Sequence, residues 1–267
     1  MIRLLAGAAT LYAGICVLAF LMQRRLLYFP AHMAEEVALS RAARLGLSPW
    51  RDERGTLRGW RAALGGPIRA RLLVLHGNAG SALDRAYYPA ALVPHGLEVI
   101  LFEYPGYGSR RGSPSLEALS GAAVEAVRSL AAEGPEPVWL LGESLGSGVA
   151  ARAVALRPGV VQALLLVTPF ARLTDVVRTH YPFLPSFLLR DRYAPVSDLA
   201  GFVGPALVLI AGQDEVVSAG QGRLLFEALR GPKRLVVQDR ATHNVLDLRP
   251  SLPLWREAVA FLLRPGG

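Results

Sequence analysis

Short apolar runs at residues 56–62, 71–76, 98–103, 138–142, 163–168, 206–211 and 234–238 alternate with helix-like stretches, and this rhythm constrains the fold more than any other feature of the chain. Each run is strand length and apolar on both faces, whereas the intervening stretches at 82–93, 115–132, 145–156, 220–229 and 252–263 have helical spacing. Strands buried on both sides require cover on both sides. The pattern therefore predicts an α/β fold, a mostly parallel sheet with helices on each face. A length of 267 residues fits one such domain, and no internal repeat or low-complexity linker divides it. Only the interval 170–199 breaks the rhythm. It carries Pro182, Pro185 and Pro195 among many apolar side chains and reads as a short lid inserted over the strand ends.

The N-terminus follows a different rule. Leu4 to Met22 is a run of 19 residues without a charge, and at about 1.5 Å of rise per residue it matches a hydrocarbon core of about 30 Å. The run is longer than a signal-peptide core, and no small-x-small cleavage site precedes Gln23-Arg24-Arg25. An uncleaved transmembrane anchor over 1–25 is expected, followed by a catalytic domain over 26–267 and giving a single-pass protein of the cell membrane. A lipoprotein is excluded because Ile15 precedes Cys16 where a small residue is required. Arg24, Arg25 and Arg41 favour a cytoplasmic side for the large domain, and Arg3 with the amino terminus nearly cancels them, so the orientation stays open.

Charge and cysteine content remove other classes. The formal net charge of +8 comes almost wholly from arginines scattered along the chain, Lys233 being the single lysine, so a solvated surface is expected and not a nucleic-acid partner. With Cys16 the only cysteine, neither a disulfide framework nor a cysteine-rich zinc site can form.

The chemistry-bearing stretch is Gly142-Glu143-Ser144-Leu145-Gly146, at the junction of the run 138–142 and the helix 145–156. It fits G-x-S-x-G, in which a sharp strand-to-helix turn lifts the serine hydroxyl out of the sheet and leaves room only for small residues two positions away on either side. A helix cap flanked by packing glycines would produce the same letters. Gly146-Ser147-Gly148-Val149-Ala150-Ala151 also resembles a dinucleotide fingerprint, but residues 162–170 hold no carboxylate for a ribose. Three further elements match the serine reading. His76-Gly77-Asn78-Ala79-Gly80 ends an earlier strand in a glycine-bearing loop, Asp214 follows the run 206–211, and His243 follows the run 234–238. The order Ser144, Asp214, His243 is that of the α/β-hydrolases and not of other common serine-hydrolase folds.

From about Thr56 onward the chain resembles the α/β-hydrolase superfamily. It is most similar to the membrane-anchored branch that includes bacterial serine-aminopeptidase-like hydrolases and protein depalmitoylating thioesterases. The resemblance rests on Leu26-Leu27-Tyr28-Phe29-Pro30, the loop 76–80, Tyr104-Pro105-Gly106-Tyr107-Gly108-Ser109, Gly112-Ser113-Pro114-Ser115, the serine pentapeptide, Asp214 and His243-Asn244. Glu103 and Pro105 depart from it, standing where the branch usually has Asp and Arg. The resemblance implies Ser144 as nucleophile, His243 as general base and then acid, and Asp214 as the group orienting the imidazole. It implies an oxyanion hole from the N–H groups of Asn78 and Leu145, with no metal or organic cofactor.

An apolar acyl substrate is expected, in a pocket lined by Phe183, Phe187 and Leu188 of the lid. Arg172, Arg178, Arg190 and Arg192 in the same interval suit either a solvated face or anionic lipid headgroups. The reading is an esterase or thioesterase. A serine aminopeptidase and a catalytically silent binding protein on the same fold are the alternatives.

Overall fold

The computed structural model describes residues 1–62 and 65–264. In chain order the elements are α1 (Ile2–Leu27), β1 (Phe29–Pro30), α2 (Glu35–Arg44), β2 (Ser48–Arg51), β3 (Leu57–Ala62), β4 (Ala70–Leu75), β5 (Ala79–Gly80), α3 (Tyr87–Leu92), β6 (Leu97–Phe102) and α4 (Leu116–Ala132). There follow β7 (Val138–Glu143), α5 (Leu145–Leu156), β8 (Val161–Val167), α6 (Leu173–His180), α7 (Pro195–Asp198), β9 (Ala206–Ala211), α8 (Ala219–Ala228), β10 (Lys233–Gln238) and α9 (Pro253–Leu262). The main sheet has the order β10-β9-β8-β7-β4-β6-β3-β2, parallel from β10 to β6 and antiparallel at β3 and β2. The last three residues of the expected catalytic domain, 265–267, lie outside the described residues.

Two-sided burial has a direct reading along β4 and its neighbours. Leu73 and Leu75 join Ile100, Phe102 and Leu140 in a core closed by Leu119, Ala123 and Val127 of α4 and by Val149 of α5. Leu72 and Val74 point the other way, into a core with Val99, Leu101, Trp139 and Leu141 that is closed by α2, α3 and α9 through Ala38, Tyr88 and Trp255. Successive strand side chains alternate faces, so a run with no polar position has to be covered twice.

Departures from the expected elements have local causes. Instead of one helix over 82–93 there is a 3-10 turn at Ala82–Arg85, the short α3, and a second 3-10 turn at Val93–His95. Pro89 and Pro94 lack the N–H groups that a continuous helix would use. The strand β2 was not expected. It is an edge strand with only Trp50 buried, so it carries little hydrophobic signal. The lid interval contains α6, a 3-10 turn at Ser186–Leu188 and α7.

Candidate active site

Ser144 lies between the end of β7 and the start of α5 with φ 50° and ψ −116°. A non-glycine residue at such a φ costs on the order of 1–3 kcal/mol and persists only where its surroundings enforce it. Here the Ser144 N–H donates to Val167 O at 2.9 Å, while the Ser144 carbonyl accepts the Ser147 N–H at 2.9 Å and the Ser147 hydroxyl at 2.6 Å. The flanking glycines are sterically required. A Cβ on Gly142 would come within 2.7 Å of both Gly146 O and Ser147 Cα, and one on Gly146 would overlap the Leu75 carbonyl oxygen and approach His76 O to 2.7 Å.

Three strand ends converge on the serine. Neighbouring parallel strands place the loops after β7 and β9 on the same edge of the sheet as the loop after β10. The His243 Nε2 is 2.9 Å from Ser144 Oγ, and His243 Nδ1 is 2.7 Å from Asp214 Oδ2. Asp214 Oδ1 accepts the N–H groups of Val216 at 2.9 Å and Val217 at 2.7 Å, which fixes the carboxylate plane and leaves Oδ2 for the imidazole. Both side chains are shielded, with the imidazole 9% and the carboxylate 2% exposed. Asp247, another acid near the histidine in sequence, is engaged by Arg249 at 2.6 Å, and Glu215 accepts the His243 N–H at 3.3 Å.

The loop 76–80 is held from several sides. Tyr104 donates to His76 O at 3.0 Å, Tyr107 donates to Asn78 O at 2.8 Å, and the Asn78 side-chain amide donates to Leu27 O at 2.9 Å. Burial, reinforced by the Arg85 guanidinium, pushes the His76 imidazole down to about 3. It is therefore neutral near pH 7, with Nδ1–H donating to Gly77 O at 2.8 Å. Among the described residues, the N–H groups of Asn78 and Leu145 donate to no protein acceptor. Asn78 lines the same cavity as Ser144 and His243, a space of about 490 Å³.

Sequence reasoning missed a charged cluster on the wall of that cavity. Glu143 Oε1 accepts from Arg85 Nη2 at 2.7 Å and Nε at 3.2 Å, while Oε2 accepts the hydroxyls of Tyr87 at 2.9 Å and Tyr88 at 3.0 Å. Burial opposes the charged carboxylate, yet Arg85 and the two hydroxyls outweigh it and hold Glu143 below the ordinary carboxylate range. Arg85 also donates to Ala79 O at 3.2 Å, so the cluster ties the 76–80 loop to the serine turn. Its only sequence signal was position: Glu143 is the residue before the serine. Its partners come from a segment whose helical form was misread.

The expected lid residues are placed elsewhere. Phe183, Phe187 and Leu188 do not border the Ser144 cavity. The two phenylalanines are exposed, and Leu188 lines a second cavity against α1. The cause is the pull of α1 on the lid: the Gln23 amide donates to Leu188 O at 3.2 Å and accepts the Arg190 N–H at 2.6 Å. The apolar residues that do face Ser144 include Val167, Leu246 and Leu248.

Comparison with known proteins agrees with this architecture. Residues 70–194 match the α/β-hydrolase fold family. An uncharacterised protein of Mycobacterium tuberculosis is 36% identical over 246 residues, covering 90% of this chain and 86% of the relative. The chain belongs to the α/β-hydrolase superfamily. A lysophosphatidylserine lipase of Danio rerio is 30% identical over 184 residues, 61% of this chain, and the match spans about half of that longer protein, 48%. An esterase of Pyrococcus furiosus has the same fold, with a TM-score of 0.64 at 17% identity over 89% of this chain and 100% of that one. Lipases and esterases recur among these hydrolase relatives and neighbours. At the N-terminus, α1 is long and apolar enough to cross a membrane, and none of its apolar window is buried in the protein.

Proposed function

We propose that the chain is a membrane-tethered serine hydrolase that cleaves carboxylic ester or thioester bonds of apolar acyl groups through an acyl-serine intermediate. The observation that carries this reading is the unbroken line from Ser144 Oγ to His243 Nε2 at 2.9 Å and from His243 Nδ1 to Asp214 Oδ2 at 2.7 Å. In this reading His243 takes the serine proton as Oγ attacks the carbonyl carbon. The oxyanion is received by the N–H groups of Asn78 and Leu145, and the imidazolium returns its proton to the departing alcohol or thiol. Water deprotonated by His243 then releases the acid and regenerates Ser144. Asp214 keeps Nδ1 protonated and stabilises the imidazolium. Residues 1–25 serve as a single-pass anchor in the cell membrane, with the hydrolase domain over 26–267 on the cytoplasmic side.

Lipid-like esters are favoured by the lipases among the relatives and by the apolar wall of Val167, Leu246 and Leu248 beside Ser144. An aminopeptidase needs a free carboxylate for the substrate amine, and the carboxylate on the cavity wall, Glu143, is already neutralised by Arg85. Values of kcat/KM for p-nitrophenyl esters of two, four, eight and twelve carbons test the reading. Each buried methylene contributes about 0.8 kcal/mol, so two extra carbons should raise kcat/KM by roughly tenfold until the wall is covered. A profile highest at two carbons and falling steadily would sink the apolar-acyl reading. Faster turnover of amino-acid amides than of any ester would favour the peptidase.

A further inference from the structure

Between α1 and the lid lies a second cavity, of about 400 Å³, sharing no lining residue with the one around Ser144. Its walls include Ala19, Phe20 and Leu26 of α1, Val176 and Val177 of α6, and Leu184 of the lid. Ala19 and Phe20 belong to the charge-free run 4–22 while Gln23, Leu26 and Leu27 follow it, so the cavity straddles the end of that run. Val216, an exposed lining residue, is two residues from Asp214: its carbonyl is 2.8 Å from His180 Nε2 and its N–H is 2.9 Å from Asp214 Oδ1.

Most of the lid backbone beside this cavity has protein partners; among the described residues the N–H groups of Phe183, Ser186 and Phe187 have none. Tyr12, midway along the charge-free run, donates to Phe183 O at 2.8 Å, and Gln23 pairs with both Leu188 O and the Arg190 N–H. The Arg192 guanidinium donates to Phe187 O and, at 2.7 Å, to Leu189 O. Within the lid, the N–H groups of Leu184, Leu188 and Leu189 reach Tyr181 O, Pro185 O and Ser186 O at 3.0, 3.0 and 3.2 Å. Pairing most of these groups lowers the cost of setting irregular backbone against hydrocarbon, where an unpaired N–H or carbonyl is strongly unfavourable. Tyr12 and Gln23 are about 16 Å apart along the helix axis, so the lid follows α1 well into the charge-free run. The outward side chains at this depth, Phe183 and Phe187, are apolar and 57% and 71% exposed. At the end of the run the anchorage becomes ionic: Arg24 grips the buried Asp191 at 2.9 Å, and Tyr28 donates to the same carboxylate at 3.1 Å.

We propose that segment 181–189 is immersed in the bilayer beside α1, and that the cavity between them holds one hydrocarbon chain of a resident membrane lipid. The proposal rests on α1 spanning the membrane. It adds a lipid site separate from the cavity in which the ester is cleaved. A chain of the surrounding bilayer is the occupant because the walls are continuous with the lipid-facing surface of α1.

The test uses the full chain in phosphatidylcholine vesicles containing a phosphatidylcholine with a diazirine at mid-chain, followed by peptide mapping after irradiation. Label is expected both in α1 and in peptides covering 173–189. Val177→Trp, which fills the cavity, should reduce the α6 and lid label at least fivefold while leaving the α1 label and hydrolysis of a two-carbon ester unchanged. Val176→Trp serves if the first variant does not fold. Label in α1 without label in 173–189 overturns the proposal and leaves the anchor standing. Label in neither overturns both. Loss of the lid label after fluorophosphonate treatment would assign the chain to substrate at Ser144 and also overturn it.

Discussion

Gly146→Ala exposes how closely the serine turn and the 76–80 loop depend on each other. A methyl group there would overlap Leu75 O, lie 2.6 Å from Leu75 C and 2.7 Å from His76 O. All three atoms are backbone, so the clash cannot be relieved by rotating a side chain. Forced overpacking of this kind costs typically 1–3 kcal/mol. For a protein of this size each kcal/mol lowers Tm by about 2–4 °C, so a fall of roughly 2–12 °C is expected. Activity should suffer more. The atoms that must retreat begin the loop carrying the Asn78 N–H, and a displacement of about 1 Å can reduce rates on the order of 100-fold. The control is Gly121→Ala in α4, where nothing lies within 4 Å of the added methyl. Alanine in a helix interior is favoured over glycine by about 1 kcal/mol, so this variant should be fully active and no less stable. Thermal melts and kcat/KM on a short p-nitrophenyl ester measure both. If Gly146→Ala matches the parent within twofold in rate and 1 °C in Tm, the proposed packing of turn against loop is wrong.

Three other outcomes follow from named contacts. Asp214→Asn retains an acceptor for the Val216 and Val217 N–H groups but loses the charge that keeps His243 Nδ1 protonated, so kcat should fall by about four orders of magnitude with little change in Tm; a loss below tenfold would remove Asp214 from the proposed role. Burial raises the Glu103 carboxyl from 4.5 to about 7, so its contribution to stability is full below pH 4.5 and is lost as pH rises through 7. Glu103→Gln can still accept the Ala82 N–H and should flatten that decline, gaining Tm on the parent between pH 5 and 8; a pH–Tm curve parallel to the parent's would contradict the assignment. A chain beginning at Tyr28 should be released by alkaline carbonate while the full chain remains with the membrane fraction, and equal release of both would dismiss α1 as an anchor.

The inner strands β4, β6, β7, β8 and β9 were legible because they are buried on both faces. The run 206–211 coincides with β9, and the run 138–142 falls one residue short of the end of β7. The placement of Ser144, Asp214 and His243 was legible for the same reason, since each follows a strand and parallel strands deliver their following loops to one edge. Elements with mixed burial were not. In β2 only Trp50 is buried, and prolines interrupt the apolar spacing around α3. The direction of the lid was hidden more deeply. Phe183 and Phe187 carry the apolar character of pocket residues, but what turns them outward is a set of contacts from Tyr12, Gln23 and Arg24, residues more than 160 positions away. Glu143 stood in plain view inside the motif. Nothing local in the sequence pairs it with Arg85, Tyr87 and Tyr88.

The acyl-serine claim is tested most directly by intact-mass and peptide-mass measurement of the full chain after reaction with a fluorophosphonate. One adduct per chain is expected, on the peptide containing Ser144, with ester hydrolysis falling in proportion to the adducted fraction and no adduct forming on Ser144→Ala. Retention of hydrolysis by fully adducted protein, or an adduct on any other residue accompanied by loss of activity, would contradict the account.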